Sequence, residues 1–141
     1  MLKKIPAILP PELVKIMMEM GHGDELVLGD AHFPAASNAA RLVRCDGHPI
    51  PVLLEAILEL FPLDPYVERS VGLMQVIPGD PVMPHIWNTY RQVVDASGND
   101  QPFEFIERFA FYERARRSYA IVATGELSQY ANVILKKGLV L

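Results

Sequence analysis

Gly21-His22-Gly23-Asp24-Glu25-Leu26-Val27-Leu28-Gly29-Asp30-Ala31-His32-Phe33-Pro34 joins a helix stop, a short strand and a loop in one run. Glycine on either side of His22 allows the backbone to turn sharply and leaves the imidazole open. Leu26, Val27 and Leu28 are continuously apolar, as a strand buried on both faces requires. An imidazole and the Asp30 carboxylate therefore stand at opposite ends of one buried strand. Polar groups at element ends are where α/β proteins build sites.

On the N-terminal side, Pro10-Pro11-Glu12 opens a helix. Proline suits the first helical position and Glu12 complements the helix dipole. Leu13, Ile16, Met17 and Met20 recur at helical spacing, and Gly21 supplies the stop. On the C-terminal side, residues 41–45 read as a strand closed by Asp46-Gly47. Residues 51–61 form an amphipathic helix ended by Pro62, and residues 71–77 a strand closed by Pro78-Gly79-Asp80. A helix over 84–94 with Ile86, Tyr90 and Val93 inward, a strand over 103–106 and a helix over 108–117 follow. Strands over 119–123 and 132–135 complete the chain. Strands alternating with helices predict an α/β layered fold with a largely parallel sheet. No repeat, low-complexity segment or long linker divides residues 1–141, so a single domain is expected.

Half of the residues are hydrophobic and 21% are charged, which supports a full core and argues against disorder. The apolar excess suits burial between subunits. A net charge of −4 with no basic block or finger spacing argues against nucleic acid. One cysteine, Cys45, excludes an internal disulfide and fits a reducing compartment. No apolar run reaches membrane-spanning length and the first residues lack a signal-peptide core, so a soluble cytoplasmic protein is expected.

His22 has two readings: a proton donor near neutral pH, or a C-cap that satisfies the last carbonyls of its helix. Asp30 can accept from ligand hydroxyls or cap the loop that follows. Arg108, at a helix start, can donate to a sugar or an anion through its planar fork, or lie on the surface. Tyr112 falls one turn later. Tyr130 and Asn132, at the entry to the last strand, offer a hydroxyl and an amide suited to polyols. His22, Asp30 and His32 show no recognised metal-ligand spacing, and no dinucleotide, P-loop or nucleophile-elbow pattern occurs, so no metal and no cofactor is expected.

Met20 to Glu25, Asp30 to Ala35, Arg108 to Ala115 and Ser128 to Gly138 together resemble the RbsD/FucU family of ribose pyranases and fucose mutarotases. The likeness runs from Leu2 to Gly138 and is strongest to the L-fucose mutarotase branch. Ribose pyranases tend to read Gly-His-Thr-Asp and Asp-Ala-Gly-Leu-Pro, where this chain has Gly23 and His32. The resemblance implies a three-layer α/β/α domain with a mixed, largely parallel sheet, and an isomerase that interconverts L-fucose anomers. Pyranose–furanose exchange of ribose and non-enzymatic sugar binding are the alternatives. It implies His22 as the proton donor and Asp30, Arg108, Tyr130, Ala131 and Asn132 as substrate-binding residues. Tyr112 falls where ribose pyranases carry a binding histidine. Ala131 matches ribose pyranases, whereas some fucose mutarotases have glycine there. The resemblance also implies a ring-shaped homo-oligomer, a decamer of two pentamers with sites shared between neighbours.

Overall fold

The computed structural model describes residues 1–141. In chain order the elements are α1 (Pro11–Glu19), β1 (Glu25–Gly29), α2 (Ala35–Asn38), β2 (Leu42–Cys45) and α3 (Ile50–Leu58). Then come β3 (Val71–Met74), α4 (Ile86–Ala96), β4 (Glu104–Ile106), α5 (Arg108–Arg117), β5 (Ala120–Thr124) and β6 (Val133–Lys136). One six-stranded sheet has the order β2-β5-β1-β6-β3-β4. β1 with β5, β2 with β5, and β3 with β4 run parallel; β6 runs antiparallel to both β1 and β3. The expected α/β class with a mixed sheet is what the chain adopts.

The antiparallel strand has a local cause. A parallel crossover needs about a dozen residues or more, and the segment from Thr124 to Val133 is shorter. The chain instead crosses the end of β1 and returns beside it. Asp30 N–H donates to Asn132 Oδ1 at 2.8 Å and Ala31 N–H to the Glu126 carbonyl at 2.8 Å, fastening the crossing segment over β1.

Alternation along β1 splits the core into two layers. Leu26 and Leu28 pack with Leu13 of α1, Leu53 of α3 and Tyr90 of α4. Val27, pointing the other way, packs with Ala35 of α2 and with Phe111 and Ala115 of α5. Helices thus cover both faces, giving three layers. Cys45 is buried at the end of β2, where burial pushes its thiol up and leaves it inert.

Several boundaries differ from the sequence expectation. The helix expected over 51–61 spans Ile50–Leu58, because the chain turns at Leu60 ahead of Pro62. The strand expected over 71–77 ends at Met74, since Pro78-Gly79 turns it away. The helix expected over 84–94 spans Ile86–Ala96, and Val94 rather than Val93 is fully buried. The single turn of α2 carries too little periodicity to be read from sequence. No helix is long and apolar enough to cross a membrane.

Candidate active site

The C-terminal ends of the parallel strands, with the segment that crosses them, enclose a cavity of about 320 Å³. Asp30 enters from the end of β1, Arg108 and Tyr112 from the first turns of α5, and Tyr130 and Asn132 from the crossing segment. His32, Asp80 and Met74 complete its wall. Four of the five expected binding residues therefore converge. The fifth, Ala131, is fully buried and does not face the cavity; its carbonyl accepts from the buried Tyr90 hydroxyl at 2.6 Å. That bond fixes the stretch from Tyr130 to Asn132 from behind.

Asp30 caps its loop and also lines the cavity. Its Oδ1 accepts the His32 N–H at 3.0 Å, closing the loop, while the carboxylate lines the cavity. Burial raises its pKa above the ordinary range, and backbone donors from His32 and Phe33 only partly offset this. Arg108 sits in the first turn of α5, the wrong end of the helix for a cation. The Glu107 carboxylate caps that turn through Phe109 and Ala110 N–H, both at 3.0 Å, and Arg108 reaches the Tyr112 hydroxyl at 3.4 Å.

His22 lies elsewhere. It sits at the N-terminal end of β1, while the cavity sits at the C-terminal end. The five residues of β1 separate these ends by roughly 16 Å at about 3.3 Å per residue. The same separation keeps His22, Asp30 and His32 from converging on a metal ion within one chain. The C-cap reading of His22 fails on geometry. Lys137 Nζ takes the last carbonyls of α1, Met17 at 2.7 Å and Met20 at 2.5 Å. His22 Nε2 instead meets Asp64 Oδ1 at 3.0 Å, and its ring leans on Tyr66 with centroids 5.7 Å apart.

Asp64 is the residue that sequence reasoning missed. Its side chain is 4% exposed, beside an imidazole that is 40% exposed. Burial pushes its pKa up, but the Tyr66 N–H and His22 outweigh that, and the carboxyl lies below its ordinary range. A carboxylate only accepts, so Nε2 carries a proton and Nδ1 is the nitrogen left for other work. The signal was an isolated acid between Pro62-Leu63 and Pro65, too common to single out before its fold neighbours are known.

The chain matches the sequence profile of the RbsD / FucU transport protein family over residues 3–140. It belongs to that family. Among RbsD / FucU relatives, an L-fucose mutarotase of Actinobacillus pleuropneumoniae is 49% identical, covering 98% of this chain and 96% of its own. A fucose mutarotase of Homo sapiens is 46% identical, covering 97% of this chain and 93% of its own. The crystal structure of the Streptococcus pneumoniae fucose mutarotase in complex with L-fucose superposes with a TM-score of 0.96. It is 55% identical and covers 99% of this chain and 100% of its own. The RbsD / FucU resemblance seen in the sequence thus extends over the whole fold.

Proposed function

We propose that this protein is an L-fucose mutarotase, an isomerase that interconverts the α and β anomers by opening and reclosing the sugar ring. The observation that carries the reading is the likeness, in fold and over half of all residues, to a fucose mutarotase crystallised with L-fucose. The cavity supports it chemically. A carboxylate, a guanidinium, a phenol and an amide converge there, a set suited to a polyol.

Ring opening requires a proton on the ring oxygen and loss of the proton on the anomeric hydroxyl, which passes to a water or another polar group in the cavity and is returned to the carbonyl oxygen on closure. Rotation about C1–C2 then lets the ring close on the other face. His22 is the acid. As imidazolium it donates from Nδ1 to the ring oxygen, and as neutral imidazole it recovers that proton on closure. Asp64, bonded to Nε2, holds the ring and stabilises the imidazolium. Assistance of this kind contributes about 10²–10⁴-fold. Asp30, Arg108, Tyr130 and Asn132 hold the sugar hydroxyls. Ala131 spaces Tyr130 and Asn132 so that both reach the cavity.

A general acid must come within about 3 Å of the atom it protonates. The length of β1 forbids this inside one subunit. His22 of one copy therefore serves the cavity of the next. Contacts that join one end of a subunit to the opposite end of its neighbour are heterologous, and they close into a ring where the rotation between copies closes. Exposed Tyr66 beside His22, and exposed Phe109 and Leu127 near the cavity, supply apolar surface for that contact. The ring is the unit of a decamer of two pentamers, working in the cytoplasm.

Saturation-transfer NMR of L-fucose tests the function. The protein should speed α/β exchange far above the buffer rate, with a smaller effect on ribose. His22→Ala should abolish exchange while fucose still binds. Near-normal exchange in that variant sinks the assignment of His22, and no acceleration by the parent protein sinks the mutarotase reading.

A further inference from the structure

The segment between β3 and α4 carries an acid that the mechanism does not use. Asp80 N–H donates to the Ile77 carbonyl at 3.0 Å, and Gly79 has φ 90°. Proline at the second position and a positive φ at the third make a type II turn, here Ile77-Pro78-Gly79-Asp80. The turn delivers the Asp80 carboxylate to the cavity wall. Oδ1 accepts the Val82 N–H at 3.0 Å, and Oδ2 accepts the Tyr130 hydroxyl at 2.5 Å.

Tyr130 is clamped at both ends. Its φ is 55°, a left-handed value uncommon for a residue other than glycine. Its carbonyl accepts from Trp87 Nε1 at 2.8 Å, and its phenol oxygen accepts the Ile77 N–H at 3.3 Å. Neither the backbone nor the ring is free to reorient.

A phenol has one proton, and an ionised carboxylate can only accept. We propose that Asp80 is a positioning residue that commits the Tyr130 proton to itself, so that Tyr130 faces the sugar as a hydrogen-bond acceptor only. The cavity then demands a proton-donating hydroxyl at the sugar position that meets Tyr130. This rests on the reading above that Tyr130 touches the substrate. The hydrogen bonds from Tyr130 and the Val82 N–H hold Asp80 below the ordinary carboxylate range, and the bond to Asp80 pushes the phenol up. The proton therefore stays on Tyr130 through neutral pH.

Calorimetric binding of L-fucose and its monodeoxy and monofluoro analogues reads this polarity. Fluorine accepts weakly and never donates. The position facing Tyr130 is the one whose deoxygenation penalty disappears in Tyr130→Phe. There, the fluoro analogue should bind the parent protein as poorly as the deoxy analogue, about tenfold below fucose. In Asp80→Asn the amide N–H donates to Tyr130, and the phenol proton turns into the cavity. The fluoro analogue should then bind about threefold better than the deoxy one. Asp80→Glu, which keeps the carboxylate, should retain the parent ratio. General damage to the loop lowers all sugars together and leaves the ratio unmoved, which overturns the proposal. So does a fluoro analogue that matches fucose in the parent protein, a comparison that needs no variant of Asp80. If Tyr130→Phe keeps every penalty, Tyr130 does not meet the sugar and the proposal falls. α/β exchange measured alongside reports separately on the mutarotase reading, because the binding pattern does not depend on turnover.

Discussion

The pKa values of two aspartates are shifted in opposite directions. Asp64 lies below the ordinary carboxylate range because the Tyr66 N–H and His22 overcome the effect of burial. Its contribution to stability is therefore present above the unfolded-state value and lost as pH falls below about 4. Asp64→Asn should lower kcat about 10–100-fold, the usual loss when a histidine's orienting partner is altered, with KM for fucose nearly unchanged. Steady-state exchange kinetics check this, since Asp64 meets the sugar only through His22; a rise in KM alone would contradict it. Asp30 is the reverse case. Burial lifts its pKa, so the folded protein holds that proton more tightly than the unfolded chain, and stability falls as pH rises through the window between the two values. Asp30→Asn keeps an acceptor for the His32 N–H and removes the buried charge. Thermal denaturation at neutral pH should show a rise of about 1–3 °C, shrinking on acidification, while fucose affinity drops.

β6 connects the two ends of the molecule. At one end the crossing segment brings in Tyr130 and Asn132; at the other Lys137 closes α1 and Gly138 meets the loop that holds Asp64. Gly138 N–H donates to the Pro62 carbonyl at 2.7 Å, and a Cβ there would stand 2.6 Å from the Leu63 carbonyl oxygen and 2.8 Å from Asp64 Cα. Both are main-chain atoms, so the loop must move. Gly138→Ala should cost about 1–3 kcal/mol of stability. It should also lower kcat with little change in sugar affinity, checked by denaturant unfolding and calorimetry on the same sample. An unchanged kcat would show that Asp64 tolerates the shift. Local patterning made most elements legible: α5 was readable to the residue, and β1 from its apolar run. The placement of β6 between β1 and β3 was not, because strand order comes from long-range packing that no window of sequence contains. Asp64 was hidden for the same reason. Its meaning lies in His22, which is distant in sequence and adjacent only once Leu63 pairs with Lys137.

At the scale of the whole molecule, the separation of His22 from the cavity makes a strong prediction. His22→Ala and Asp30→Asn should each be nearly inactive alone. Dissociated, mixed in equal amounts and reassembled, they should regain about a quarter of the parent activity, because a quarter of the junctions join an intact acid to an intact cavity. Reassembly without recovery would place acid and cavity in the same subunit. The sequence already set His22 and Asp30 at opposite ends of one strand; the cavity that forms around Asp30 without His22 is what motivates the proposal of a site shared between copies.

If the roles proposed above hold, the length of β1, buried along nearly all of it, parts capture from conversion. Under the proposed shared site, a lone copy is a monosaccharide receptor and its neighbour turns it into a catalyst. A compound that wedged the subunits apart would silence turnover while leaving the sugar's seat vacant and open, so its inhibition would not weaken however much fucose were added.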